Sequence, residues 1–255
     1  MRIVQLKNNY RLDIQYDGTK YNGWQKQGNT KNTIQGILEE KLAVYLEESV
    51  EVKGSGRTDR GVHAAGQVAN FYTEKTVDPM QLQDWLNHEL TADIHVNHIE
   101  KASRKFHSRK SAVKKTYEYC IWNSKEKNVF YPNYAYAVEE KLDLEKIKRA
   151  SRSLLGTHDF IGFSSLKDNK KSTVRTIMDI SVEQDGKRIF LRFTGSGFLY
   201  NMVRILSGTL IEIGKGNLEP EIIEKILEQK NRALAGPTAP AQGLKLLKVY
   251  YSNEK

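Results

Sequence analysis

One order of periodicities occurs twice along the 255 residues, and it restricts the fold more than any other feature of the sequence. YRLDIQY alternates apolar Leu12, Ile14 and Tyr16 with polar residues, the pattern of a half-buried strand. Over 33–48, Ile34, Ile37, Leu38, Leu42, Tyr45 and Leu46 fall at helical spacing, with Asn32 and Gln35 placed as a capping-box-like start. A short strand near Val50–Lys53, a glycine-rich loop and the strand QVANFYT follow. Asp78-Pro79 opens a helix through Leu90, with proline at the tolerated first position, and IHVNHIE closes the set as a strand. The order is β-α-β-β-α-β. The second half repeats it with insertions. KTYEYCIW is a strand, and DLEKIKRASRSLLG is a helix with Asp143 as cap and Gly156 as terminator. TIMDISVEQ and RIFLRFTG form a hairpin across Asp185-Gly186. FLYNMVRILSGTLIEIG and EPEIIEKILEQ are helices, and LKLLKVYY is a last strand. The expected fold is α+β: two ferredoxin-like, RRM-like halves, 1–108 and 109–255, their sheets joined edge to edge with a central basic cleft.

Charge gives the halves different characters. Residues 1–108 hold 14 basic and 14 acidic side chains, whereas 109–255 hold 26 and 17, so the whole net charge of +9 comes from the second half. A basic wall attracts phosphate by steering and counterion release. Two runs stand out: Arg104, Lys105, His107, Arg109, Lys110, Lys114 and Lys115, and further on Lys167, Lys170, Lys171 and Arg175. Cys120 is the only cysteine, which excludes an intrachain disulfide and a cysteine metal cluster; within YEYCIW it reads as a small packing residue. No apolar run approaches a membrane span, and MRIVQLKNNYRLD lacks a signal core, so a cytoplasmic protein is expected.

The loop GSGRTDRGVHAAGQ, 54–67, carries one acid, Asp59, between Arg57 and Arg60. Flanking guanidinium groups favour the ionised carboxylate, which suits a nucleophile or electrostatic partner better than a general acid. Gly54, Gly56 and Gly61 read as a mobile backbone that lets a ligand come close, and His63 suits either phosphate or packing. A structural Asp–Arg pair anchoring a turn fits the same residues. Other chemistries lack their parts: there is no Walker sequence and no HExxH, and GSG is not followed by the strand–Ser–helix of a hydrolase elbow. A glycosidase needs a second acid, for which Glu74 and Glu118 are available but not singled out.

GSGRTDRGVHAAGQVANF resembles the signature of tRNA pseudouridine synthases of the TruA type. YDGTKYNGWQKQ (16–27), FHSRKSAVKKTYEY (106–119), GTHDFIGF (156–163), GSGFLYNMVRILSGTLIEIGKG (195–216) and APAQGLKL (239–246) resemble that family's other motifs, in its order and over nearly the whole chain. The resemblance implies isomerisation of uridine to pseudouridine at positions 38, 39 and 40 of the tRNA anticodon stem-loop, with no cofactor and no metal, by a homodimer. It implies Asp59 as the catalytic carboxylate, Arg204 as its cationic partner, and Tyr117 as the ring that stacks on the target base and serves proton transfer. Arg57 fills the space of the flipped base, Leu246 gives apolar contact to uracil, and Arg109, Lys110 and Lys114 contact RNA. The YDG and HDF segments are implied to shape the cleft. The chain departs from the family pattern at Asn201, where histidine is common, in ILSG after Arg204, and at Lys110, where an aromatic is frequent. The alternative is a non-catalytic tRNA-binding or tRNA-folding protein on the same scaffold.

Overall fold

Most of the expected strands and helices form where alternation and capping place them, while the strand expected near Val50–Lys53 is instead Lys53–Gly54. The computed structural model describes residues 7–166 and 172–252. The chain makes β1 (Asn8–Tyr16), α1 (Ile34–Leu46), β2 (Lys53–Gly54), β3 (His63–Thr73), α2 (Pro79–Glu89) and β4 (Ile94–Ala102). It continues with β5 (Ala112–Asn123), β6 (Tyr136–Val138), α3 (Leu144–Arg152), β7 (Gly156–Asp159), β8 (Val174–Asp185) and β9 (Arg188–Gly195). It ends with α4 (Met202–Gly214), α5 (Ile222–Gln229) and β10 (Leu244–Tyr251).

Two compact units result: 1–113 with 246–255, and 114–245. A single cut at 108/109 therefore misses one feature, because most of the last strand returns to the first unit. Aromatic packing explains the return: the Tyr251 ring lies 5.0 Å from that of Phe106 and under the Arg11 guanidinium, and its hydroxyl donates to Ser108 O at 2.6 Å.

In the first unit β1 pairs antiparallel with β3 on one side and β4 on the other, and β2 adds two residues to β3 at Asn70 and Ala69. Leu12 and Ile14 are fully buried, as the alternation requires, and Phe71, Val96, Leu38, Leu42, Leu82 and Leu86 join them in the core. Asp78 caps α2 through the Met80 and Gln81 amides, with Pro79 following. The cap of α1 differs from expectation. Thr33 is extended and its hydroxyl accepts from Gly36 N. Asn32 instead donates to Lys20 O, and Gln35 turns inward to Gln25, Lys26 N and Glu39.

In the second unit β9 lies between β5 and β8, all antiparallel, with β7 on the far edge of β8 and β6 parallel to β5. α4 is buried nearly all round, the expected state of a helix apolar on every face. Asp143 caps α3 as expected. Gly156 does not end that helix; α3 stops at Arg152, and Gly156, at φ +99°, opens β7. The β8–β9 turn consists of Gly186 and Lys187, with Asp185 already paired to Arg188. The short strands β6 and β7 carry no alternation long enough to read. Asp159 ends β7 and caps the turn Phe160–Phe163 through Ile161 N, with Thr173 and Lys230 on its carboxylate. Lys167, Lys170 and Lys171 lie outside the described residues.

Candidate functional site

The stretch 16–27 is the support of the Asp59 loop. β2 and β3 hold the loop's ends, and Ser55 N donates to Val68 O at 2.8 Å. Gln67, fully buried on β3, takes Gly56 on both sides: its Oε1 accepts from Gly56 N (2.9 Å) and its Nε2 donates to Gly56 O (2.7 Å) and to the Tyr16 hydroxyl (3.3 Å). That hydroxyl lies 2.7 Å from Thr58 Oγ1, and Trp24 N donates to Thr58 O at 3.0 Å. Burial pushes the Tyr16 phenol up to about 12, partly offset by its bonds to Thr58 and Gln67, so it remains neutral. Beyond the acid, Val62 N donates to Asp59 O (3.1 Å) and Gly61 N to Tyr21 O (3.4 Å). The buried His63 has Nδ1 3.0 Å from both Gly18 N and Asp17 Oδ1.

These bonds replace the expected mobile loop with an anchored one. Thr58 faces inward and is buried, Asp59 is half-buried, and Arg57 and Arg60 on either side are exposed. The glycines of the support serve close approach. A Cβ on Gly18 would sit 2.0 Å from Val62 O, and one on Gly23, at φ +86°, 2.6 Å from Thr58 O. Gly18→Ala must therefore displace the backbone beside Asp59. We expect kcat to fall by at least about tenfold and Tm by several degrees. Steady-state kinetics and thermal melts check this, and an unchanged kcat would mean that the support does not set the position of the acid.

In the second unit Arg204 sits in the first turn of α4, half-buried. An unpaired arginine on so apolar a helix is costly, and this one is paired. Its Nε donates to Ala239 O (2.7 Å) and its Nη1 to Asn201 Oδ1 (3.0 Å), while Ala239 N donates back to Arg204 O (3.1 Å). The neighbouring Pro240 O accepts from the buried Tyr119 hydroxyl at 2.8 Å. Tyr117, buried on β5, packs edge-on to Phe198 with ring centroids 5.2 Å apart. Leu246 has no exposed surface, so it acts as packing of β10 in the free chain.

The candidate site residues divide between the units. Asp59, Arg57, Arg109 and Lys110 belong to the first; Tyr117, Lys114 and Arg204 belong to the second. Arg109 and Lys110 are exposed, and Lys114 is half-buried. The turn before them is pinned from below. Asn70 donates to Asn9 and accepts from Ser108 N, and Ser108 Oγ bonds Lys53 O. Partial burial, then Lys110, Lys53 and Arg109, hold the His107 imidazole below its usual range, which marks a convergence of positive charge. Arg175 is turned onto its own chain, donating to Ser172 O and Val174 O.

Glu118, available in the sequence as a second acid, is engaged elsewhere, and Cys120 keeps the character of a packing residue. Burial works against ionisation of Glu118, but bonds from Lys245 (2.8 Å) and Arg192 (2.7 Å) outweigh it and bring its carboxyl below the usual range. Such a group is a poor proton donor. Burial raises the half-buried Cys120 thiol to about 11, which suppresses the thiolate. The sequence assigns no role to Gln67 and Tyr119, and marks Tyr16 only within its strand and the YDG segment and Asn201 only as a departure from the family pattern, because a polar residue on a strand or helix end shows its partner only in three dimensions.

No helix among the described residues is long and apolar enough to cross a membrane. A model of the family described as tRNA pseudouridine synthase matches residues 14–109 and 150–252. A tRNA pseudouridine synthase A of Bacillus sp. (strain KSM-64) is 46% identical over 239 residues, which is 94% of this chain and 98% of that one. The enzyme of the same name from Acetivibrio thermocellus is 44% identical over 95% of this chain and 99% of its own. The tRNA pseudouridine synthase A 2 of Clostridium tetani is 43% identical over 97% of this chain and 100% of its own. With both matched stretches spanning its supported loop and its Arg204 helix, the chain belongs to the tRNA pseudouridine synthase family of isomerases.

Proposed function

We propose that this chain converts uridine to pseudouridine at positions 38, 39 and 40 of the tRNA anticodon stem-loop, without a cofactor, as a cytoplasmic homodimer. The observation that carries the reading is a single half-buried carboxylate, Asp59, held between two exposed arginines on a loop anchored at residues 55, 56, 58, 61 and 62. The reaction adds and removes nothing. The bond from N1 of uracil to the sugar breaks, the base turns, and a bond from its C5 replaces it, with the C5 proton lost and N1 gaining one, so the atoms balance and one ionised group can serve throughout. Attack at C1′, proton removal at the sugar and addition at C6 each use that ionised form.

The supporting roles follow the resemblance residue by residue. Arg57, exposed and planar, takes the space left by the flipped base. Tyr117 stacks on the target uracil. Arg204 holds the charge of the reacting carboxylate from the second half of the chain. Arg109, Lys110 and Lys114 bind phosphate, where the convergence of charge around His107 favours a polyanion.

Uridine-labelled tRNA incubated with the protein tests the reaction class. The expected products are intact strands that contain pseudouridine. Released uracil would indicate a glycosidase, and shortened strands a nuclease; either result contradicts the proposal.

A further inference from the structure

Three non-glycine residues in the described chain have positive φ, and one is out of place. Glu47 (φ 50°) and Lys230 (φ 54°) end helices α1 and α5, where the left-handed conformation is ordinary. Asn201 (φ 59°, ψ 5°) instead begins α4. The residues that begin α1, α2 and α3 are Thr33, Asp78 and Asp143; each is extended, and each accepts backbone N–H bonds on its side chain. Asparagine is among the best residues for that task. Asn201 makes no such bond. Its amide lies between two other groups: Oδ1 accepts from Arg204 Nη1 (3.0 Å), and Nδ2 donates to Ser165 Oγ (3.1 Å). Chemistry fixes this orientation, because the reversed amide would set a donor against the guanidinium. Ser165 is held in turn, donating its own N–H to Tyr200 O at 3.2 Å.

With Nε on Ala239 O as well, the planar guanidinium is gripped at two nitrogens, and this fixes both its plane and its direction. A helix start that forgoes its cap and accepts a left-handed backbone at one residue is a local cost, and such costs collect at functional sites. We propose that Asn201, braced by Ser165, is a positioning residue that sets the plane of Arg204. The inference rests on Arg204 being the cation of the site.

Asn201→Gly tests it, because glycine accepts φ 59° without strain and removes only the side chain. We expect kcat to fall about tenfold with KM within about twofold, while Tm stays within about 2 °C. Asn201→Asp keeps the acceptor for Arg204 and recovers most of the lost kcat. In an Arg204→Lys background, where the fork is absent, the glycine substitution costs less than about twofold. A tenfold cost in that background, a fall in kcat matched by a fall in Tm, or no loss of kcat overturns the proposal. The two readings separate cleanly. If Arg204→Lys retains full kcat, the reading of Arg204 fails and this inference fails with it. If Arg204→Lys lowers kcat but Asn201→Gly does not, the inference alone fails.

Discussion

Asp59→Asn is expected to lower pseudouridine formation by at least about 10³-fold and to leave the Kd for tRNA within about threefold. The substitution keeps the shape of the side chain and removes its charge. Bonds through the Gly56 backbone, the Thr58 hydroxyl and carbonyl, and the Asp59 carbonyl hold the loop, and the substitution leaves these in place. An amide neither attacks a sugar carbon nor takes a proton at neutral pH, whichever of the three routes operates. Affinity for the polyanion comes from arginine and lysine, which remain in place. Single-turnover formation of pseudouridine and filter binding over the same tRNA range read the two quantities. Turnover within tenfold of the parent enzyme would remove Asp59 from the chemistry.

Arg204→Ala is expected to lower kcat by about 10²-fold with little dependence on salt. Lys110→Ala and Lys114→Ala should each weaken binding severalfold and reduce the salt slope by about one. The contrast follows from how the groups are held. Lys110 is an exposed, flexible cation whose contribution is diffuse and screened. Arg204 is half-buried and fixed by Ala239 O and Asn201 Oδ1, which is the arrangement of a group with one partner at one position. Equal losses at all three residues, all scaling with salt, would make Arg204 a phosphate contact.

The order of elements is legible in the sequence because alternation and capping are local. Leu12 and Ile14 have to face a core, and Asp78 and Asp143 have to start helices. The cap of α1 differs from the sequence expectation by one residue, since Asn32, Thr33 and Gln35 all offer suitable side chains and only tertiary contacts decide among them. The Asp59 loop is legible as a site but not as an anchored one. Its anchors reach across sequence: 11 residues from Gly56 to Gln67 and 42 from Tyr16 to Thr58. Periodicity reports which way a side chain faces, and it is silent on what that side chain meets. Leu246 illustrates the converse. The resemblance implies contact with a base, and the free chain buries the residue completely.

The central proposal is one acid acting on uridines of the anticodon arm. The most direct measurement maps pseudouridine in tRNA from cells that lack their own enzyme for positions 38–40 and carry either this chain or its Asp59→Asn variant. Pseudouridine is expected at those positions with the parent chain and not with the variant, both proteins being present at equal levels. Modification restored equally by the variant, or absent with the parent chain, would contradict the proposal.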